Sequence, residues 1–505
     1  MMGSPLQYHS LKVALQHMDA NVRFRISLHM PSIREVEKNV PLKIDRLQMG
    51  EMITKVNDIE YRVGIVRRWI GRKTPSIVGK DEQENDCSRD YDEFGFPVIP
   101  GRNILLPGDI SFRGGNGIEE RFDTEEHERR SKENLRIGEK ALKRLTELAS
   151  RGMTVEGYLQ TLERIPDEND EENRIRRALK RSPTKLRQLC QQNVLQLLSF
   201  HCRKNNTKPP FTCYVQMMIT DGKTTQSKLF EYTKKLFEAS KHLHDVLFGR
   251  RTECVQVRNL DLTSVSPSYD VLRLPPAFRV RTHKANVHPN HVSHKSFSLL
   301  VENSNSLDGL WIHDSREPDH FQSQAARNAK RLVIVDMEFQ GVEDMVPAIT
   351  DLPNLEITIL PWEMWFRPED YFDIIQAWLA RERPIGASCW ITINGNDKIA
   401  EDVLKLVGAA HERTEKTERC VTILNNGSTK VEVFYDEFVG QGSCDVHDDD
   451  GGGDQSGVHG GDDDGVQSKH VPTHGGIHDG GGGGHDDVLQ NEPRLLVMAC
   501  IRVLQ

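Results

Sequence analysis

Histidines and carboxylates are the residues of this chain whose spacing admits chemistry. In His288-Pro289-Asn290-His291-Val292-Ser293-His294 an imidazole recurs at every third position, with His283 shortly before. Neutral imidazole is a normal zinc ligand, which makes the run a candidate metal site. The segment reads as loop, however, and no carboxylate or cysteine completes the set at a familiar spacing. His447, His459, His470, His474, His478 and His485 stand among aspartates and glycines near the C-terminus, a composition that either binds zinc, nickel or copper loosely or forms an inert tail. Asp90, Asp92 and Glu93 offer paired carboxylates for acid–base or calcium work, but the glycine and closing glutamate of an EF-hand loop are missing. Arg113-Gly114-Gly115-Asn116-Gly117 resembles an anion-cradling loop, yet it lacks the G-x-x-x-x-G-K-[S/T] order, and Glu119-Glu120 behind it would repel phosphate. There is no G-x-S-x-G, no H-E-x-x-H, no kinase set and no dinucleotide fingerprint. The expectation is a protein without catalytic residues, cofactor or resident metal.

Binding is the chemistry that remains. Trp311, Trp362, Trp365, Trp378 and Trp390 gather in the second half, where tryptophan serves as core or as surface anchor. Pro361-Trp362-Glu363-Met364-Trp365-Phe366 has the aromatic-plus-methionine character of a partner-binding edge, which makes Trp362, Met364 and Trp365 candidate contacts. The other candidates lie at the start. Leu11, Leu15 and Met18 recur at helical spacing, and Asp19-Ala20-Asn21 interrupts the run. A second helix carrying Val22, Phe24, Ile26 and Leu28 must end before Pro31, because a proline pushes its predecessor out of the α region. Ser32 and Glu35 have the spacing of a capping box for a third helix with Ile33, Val36 and Val40 on its apolar stripe.

Three helices in so short a stretch cannot bury a core of their own, so they must dock on the rest of the chain or on a partner. Pro5-Leu6, the Leu11–Met18 helix, and Arg23-Phe24 with Leu28 before Pro31-Ser32-Ile33-Arg34 resemble the divergent F-box-like start of a large nematode family, the F-box C proteins. The general F-box pattern often has a cysteine and a tryptophan in the third helix; this chain has His29, Met30 and Ile33. The stretch from Pro31 through the segment ending near Ile118 is similar to the uncharacterised domain that accompanies that start. The resemblance implies docking on the small adaptor subunit of a cullin–RING ubiquitin ligase through Pro5, Leu6, Leu11, Leu15, Met18, Phe24 and Leu28, with the body presenting a substrate protein. The alternative is a scaffold with no ligase role, in which the helices cap the body.

Composition fits either. The chain has 505 residues, 37% apolar and 28% charged, ordinary for a globular protein of about three domains. Its net charge of -9 is concentrated: eleven aspartates and one lysine between Asp445 and Gln490 leave the remainder near neutral. A near-neutral body argues against nucleic-acid binding and against an acidic membrane surface. Scattered cysteines, no long apolar run and no secretory leader predict an intracellular protein, cytoplasmic or nuclear.

The expected architecture mixes α+β and α/β parts. Residues 1–41 form the F-box-like helical unit, 42–118 a small β-rich domain with a hairpin turn at Asn57-Asp58, and 119–205 a helical connector. Residues 206–440 alternate strands at Phe211–Ile219, Cys254–Val257, Phe297–Val301, Leu332–Val335, Leu355–Leu360, Cys389–Ile393 and Val421–Leu424 with helices at Gln226–Phe248, Phe321–Lys330, Glu369–Arg381 and Asp397–Ala410. Leu352-Pro353-Asn354-Leu355-Glu356-Ile357 fits the core of a leucine-rich repeat, but the strand spacing is uneven. An irregular repeat-like sheet and a compact α/β domain are both open. Residues 441–490 read as a disordered tail, and the apolar stretch 491–505 as a helix or strand that tucks into the body or as a segment foreign to it.

Overall fold

The computed structural model describes residues 8–71, 89–98, 104–112, 122–161, 171–263, 271–288, 293–313, 321, 323–335, 346–347, 349–360, 366–393, 397–412, 414–424, 429–438 and 496–504. It is a mixed helix and strand protein with a large mixed sheet. Two compact units divide it: Met1–Met364 with Asp373–Cys389, and Trp365–Phe372 with Trp390–Gln505. Among the described residues no helix is long and apolar enough to cross a membrane.

Three helices open the first unit: α1 (Tyr8–His17), α2 (Ala20–His29) and α3 (Pro31–Lys38). The breaks fall where local chemistry demands. Asp19 caps α2 by accepting from the Asn21 amide at 2.8 Å, and Met30, at φ -127 and ψ 81 before the proline, ends it. The Ser32–Glu35 capping box does not form. Pro31 already occupies the first helical position, so Met30 is the cap residue and no side chain bonds to the first turn.

Strands β1 (Lys43–Met49), β2 (Ile53–Val56) and β3 (Ile59–Trp69) follow. The expected turn joins the last two, with Asn57 at φ 52, a left-handed conformation that asparagine tolerates. The short strands β4 (Asp90–Tyr91), β5 (Pro97–Val98) and β6 (Ile110–Ser111) come next. The connector is helical at Glu125–Ser150, Val155–Thr161, Glu171–Leu179 and Pro183–Lys204, packed around Ile137, Ala141, Ile175, Leu179 and Leu186. Its charge swing becomes ion pairs at the surface, with Glu171 meeting Arg136 and Lys140 and Glu172 meeting Arg144.

Beyond the connector run β7 (Phe211–Thr220), β8 (Thr225–Glu231), the helix Leu236–Phe248, β9 (Val255–Asp261), β10 (Val271–Leu272), β11 (Val280–Val287), the helix His294–Leu300, β12 (Gly309–His313), β13 (Arg331–Val335) and β14 (Glu356–Leu360). Two expectations fail here. Thr225–Glu231 is a strand, not the start of a long helix, because it pairs antiparallel with β7 from Tyr214↔Glu231 to Thr220↔Thr225. Phe297–Val301 belongs to a helix capped by Ser293, which accepts from the Ser296 amide; a short apolar run does not distinguish the two states. Strands β11 and β12, absent from the expected set, fill the middle of the sheet.

The sheet of this unit runs β14-β13-β12-β11-β9-β1-β2-β3-β7-β8, parallel from β14 to β1 and antiparallel from β1 to β8. Stretches 42–118 and 206–440 therefore contribute strands to one sheet. On the buried face, apolar residues stand in register across six parallel strands: Leu47, Leu260, Ala285, Leu310, Leu332 and Ile357. Successive strands lie side by side, but their spacing in sequence varies, which hides the common pattern from a search for a fixed repeat.

The second unit contains the greater part of β15 (Ser388–Ile393), the helix Asp397–Ala410, β16 (Thr414–Lys416), β17 (Cys420–Leu424), β18 (Lys430–Phe438) and β19 (Leu496–Leu504). The last four form an antiparallel sheet in chain order. The apolar C-terminal stretch is thus a strand, registered on β18 from Leu496↔Phe438 to Leu504↔Lys430. The Gly/Asp/His-rich tail lies outside the described residues.

Candidate binding surfaces

The N-terminal helices are keyed to the body by charge in the interior. Arg23 donates through Nε to Glu37 Oε1 at 3.0 Å, through Nη1 to the Pro41 carbonyl at 2.7 Å and through Nη2 to the carbonyls of Glu37 and Val40. Arg251 reaches the same Glu37 oxygen at 2.8 Å. Lys38 Nζ donates to the carbonyls of Val246 and Leu247, both at 3.0 Å, where the helix Leu236–Phe248 leaves its last carbonyls unpaired. Burial, reinforced by Arg251, pushes the Lys38 ammonium down to about 7, and burial, opposed by Glu37, holds Arg23 and Arg251 below their usual range. Phe24 meets Tyr61 and Phe248 edge-on, and Tyr61 Oη donates to the Asn21 side chain at 2.9 Å.

This packing sorts the sequence candidates. Leu15 and Phe24 face the protein's own interior at 0% and 3% exposure, and Leu11 is half-buried. Met18 and Leu28 are exposed, as are Tyr8, Val13, Val22 and Met30. Leu28 borders an apolar groove of about 390 Å³ with Val63, Met217, Phe230, Leu243 and Val246. Pro5 and Leu6, and the second set Trp362, Met364 and Trp365, lie outside the described residues.

The less buried face of the parallel strands forms a second surface, one that sequence spacing did not single out; on it Lys284 and Arg331 are exposed and Trp311 half-buried, while Val333 is buried. Lys284, Gly309, Arg331 and Glu356 are in register across β11 to β14, and so are Asn286, Trp311, Val333 and Thr358. The Trp311 ring lies over Gly309, where a Cβ would stand 2.6 Å from it, and Lys284 Nζ sits 5.6 Å from its centroid. A glycine two residues before a tryptophan in a strand was the one available signal. Around this platform Arg281 pairs with Glu302 and Lys330 with Asp308, and His283 Nδ1 lies 3.0 Å from the same Asp308 carboxylate.

The histidine run is split. His283 is exposed on Asp308, His291 lies outside the described residues, and His288 sits beside His313 with ring centroids 5.4 Å apart. Burial, with His288 adding to it and Asp261 opposing, pushes His313 down to about 4. Among the described residues no three His, Cys, Asp or Glu side chains are grouped to hold a metal.

The remaining chemistry-bearing residues serve the scaffold. Asp90 is buried, accepts from Tyr232 Oη at 2.5 Å and from the Leu236 amide at 2.9 Å, and so closes the start of the helix Leu236–Phe248. Burial raises its carboxyl. Asp92 accepts from the amides of Phe94 and Phe96 in a tight turn. Thr54 Oγ1 lies 2.5 Å from His244 Nε2, whose Nδ1 meets the Arg273 carbonyl at 2.5 Å. That hydroxyl–imidazole chain has the order of a nucleophile and its base, but Thr54 and His244 are both enclosed, at 0% and 1% exposure. Beside it Lys241 and Arg273 share the buried carboxylate of Asp109.

No curated protein and no solved structure matches the chain. A family model described as a domain of unknown function, DUF3557, matches residues 235–395, the stretch that runs from the helix Leu236–Phe248 through β9 to β15.

Proposed function

We propose that this chain is a non-enzymatic protein-binding adaptor, and that it serves as the substrate-recognition subunit of a cullin–RING ubiquitin ligase. The observation that carries the binding role is the set of exposed apolar side chains on and between α1 and α2, above all Met18 just past the end of α1 and Leu28 on α2, held on a rigid base by the buried Arg23–Glu37 pair. Scattered surface leucines need no explanation, but several exposed apolar side chains within one short helical unit, one of them, Leu28, bordering an apolar groove, mark an interaction site. The ligase role rests on the F-box-like resemblance of the same helices. The substrate protein would meet the less buried face of the parallel strands, around Trp311. Catalysis would belong to the ligase partners, and this chain would contribute proximity.

The ligase adaptor subunit binding full-length protein, and not Met18→Asp/Leu28→Asp protein of unchanged stability, is the expected outcome of a pull-down. No binding by folded wild-type protein would defeat the ligase role.

The second reading is a scaffold with no ligase role, and the ion cluster favours it. Glu37 compensates Arg251 of the body and Lys38 caps a body helix, so the N-terminal helices are also structural. Deletion of residues 1–40 would strip those groups and expose Phe248 and Tyr61 under either reading, which is why the surface variants discriminate and truncation does not.

A further inference from the structure

His288 and His313 directly follow a registered pair: Val287 of β11 stands opposite Ile312 of β12, so the two histidines come side by side at the carboxyl ends of parallel strands. That is the edge at which open parallel sheets bind ligands. The rings are 5.4 Å apart between centroids and inclined at 51°. Two imidazoles on one tetrahedral ion, with metal–nitrogen bonds of about 2.0–2.1 Å and about 1.1 Å from nitrogen to ring centre, hold their centroids about 5 Å apart. A second observation points the same way. Nε2 of His313 is buried and has no hydrogen-bond partner among the described residues, a state that protein interiors rarely leave uncompensated.

We propose that His288 and His313 together bind a divalent transition metal, zinc being the ion whose tetrahedral geometry fits the pair. Among the described residues no third His, Cys, Asp or Glu completes the set, and the pair is the part of the site that the described residues supply. A tetrahedral ion held by this pair has two further positions, open to water or to another donor atom. Trp311 precedes His313 by two residues and so shares its face of β12, which places the ion at the border of the tryptophan platform. This inference stands independently of the ligase reading.

The test uses full-length protein stripped with chelator and then dialysed against zinc, alongside His288→Gln, His313→Gln and, as a control, His283→Gln. The C-terminal histidines are present in all four proteins and cancel. Wild type and His283→Gln should retain one zinc ion more per chain than the other two variants, and zinc should raise their Tm where it leaves His288→Gln and His313→Gln unmoved, because an ion that binds only the folded site stabilises it. Equal zinc content and equal Tm response in all four would overturn the proposal. Nitrogen-labelled histidine spectra of the wild-type protein read the site without any substitution. A His313 ring signal that moves on zinc addition supports the proposal, and one unchanged at saturating zinc overturns it.

Discussion

The Arg23 guanidinium holds the Glu37 carboxylate at 2.9 Å with both side chains removed from water, at 1% and 0% exposure. The pair joins α2 to α3, and Arg251 ties the same carboxylate to the body. Removing one partner of such a pair leaves an uncompensated buried charge and costs about 3–5 kcal/mol. Arg23→Ala should lower the unfolding free energy by about that much, and Arg23→Lys should restore little, since one ammonium cannot reproduce four donor contacts. Denaturant melts of the two variants measure both.

Lys38 makes stability depend on alkaline pH. Its folded pKa of about 7 lies below the unfolded value of 10.5, so between these limits the unfolded chain holds a proton that the folded chain has released. Stability should therefore rise as pH increases from about 7 toward 10, by at most about 1.4 kcal/mol per pH unit. Lys38→Met should flatten the rise. A pH series of guanidinium midpoints for the two proteins reads the difference.

His244 acts on the acid side. Burial holds it at about 4 against an unfolded 6.5, so in that window the unfolded chain takes up the proton first and stability falls as pH drops. His244→Gln should be less stable near neutrality, because it disturbs the Thr54 and Arg273 contacts, but its loss between pH 6.5 and 4 should be shallower by about one proton. Parallel slopes for the two proteins would contradict this account.

Leu15 and Met18 share a helical stripe in sequence but have different work. Leu15→Ala should cost about 2–5 kcal/mol through the cavity it leaves, whereas Met18→Asp should stay within about 0.5 kcal/mol of wild type and act only on partner binding. Thermal melts beside the pull-down separate the two roles.

Trp311→Ala should weaken capture of a substrate protein on the sheet face while Tm changes by a few degrees at most, since the ring lies on the surface of the sheet and not in its core. A binding partner recovered equally by wild type and variant would remove Trp311 from the contact surface.

What the sequence settled by itself was local. Asp19 and Pro31 divide the N-terminal helices, Asn57 turns the β2–β3 hairpin, and the helix Asp397–Ala410 falls where its periodicity places it. Each signal acts between residues a few positions apart, through a cap, a fixed φ or a repeating apolar face. Tertiary structure decided the rest. Leu229 has the seven-residue spacing from Leu236 that suits one helix, yet pairing with β7 makes it part of a strand. The interior took Leu15 of α1 and left Met18, just past the end of that helix, exposed, a choice made by what the helix packs against. His313 came to His288, Arg251 to Glu37 and Lys284 to Trp311 through strand register and helix docking. Those contacts join residues far apart in the chain, and their partners are selected by the packing of the whole sheet, which no short window of sequence encodes.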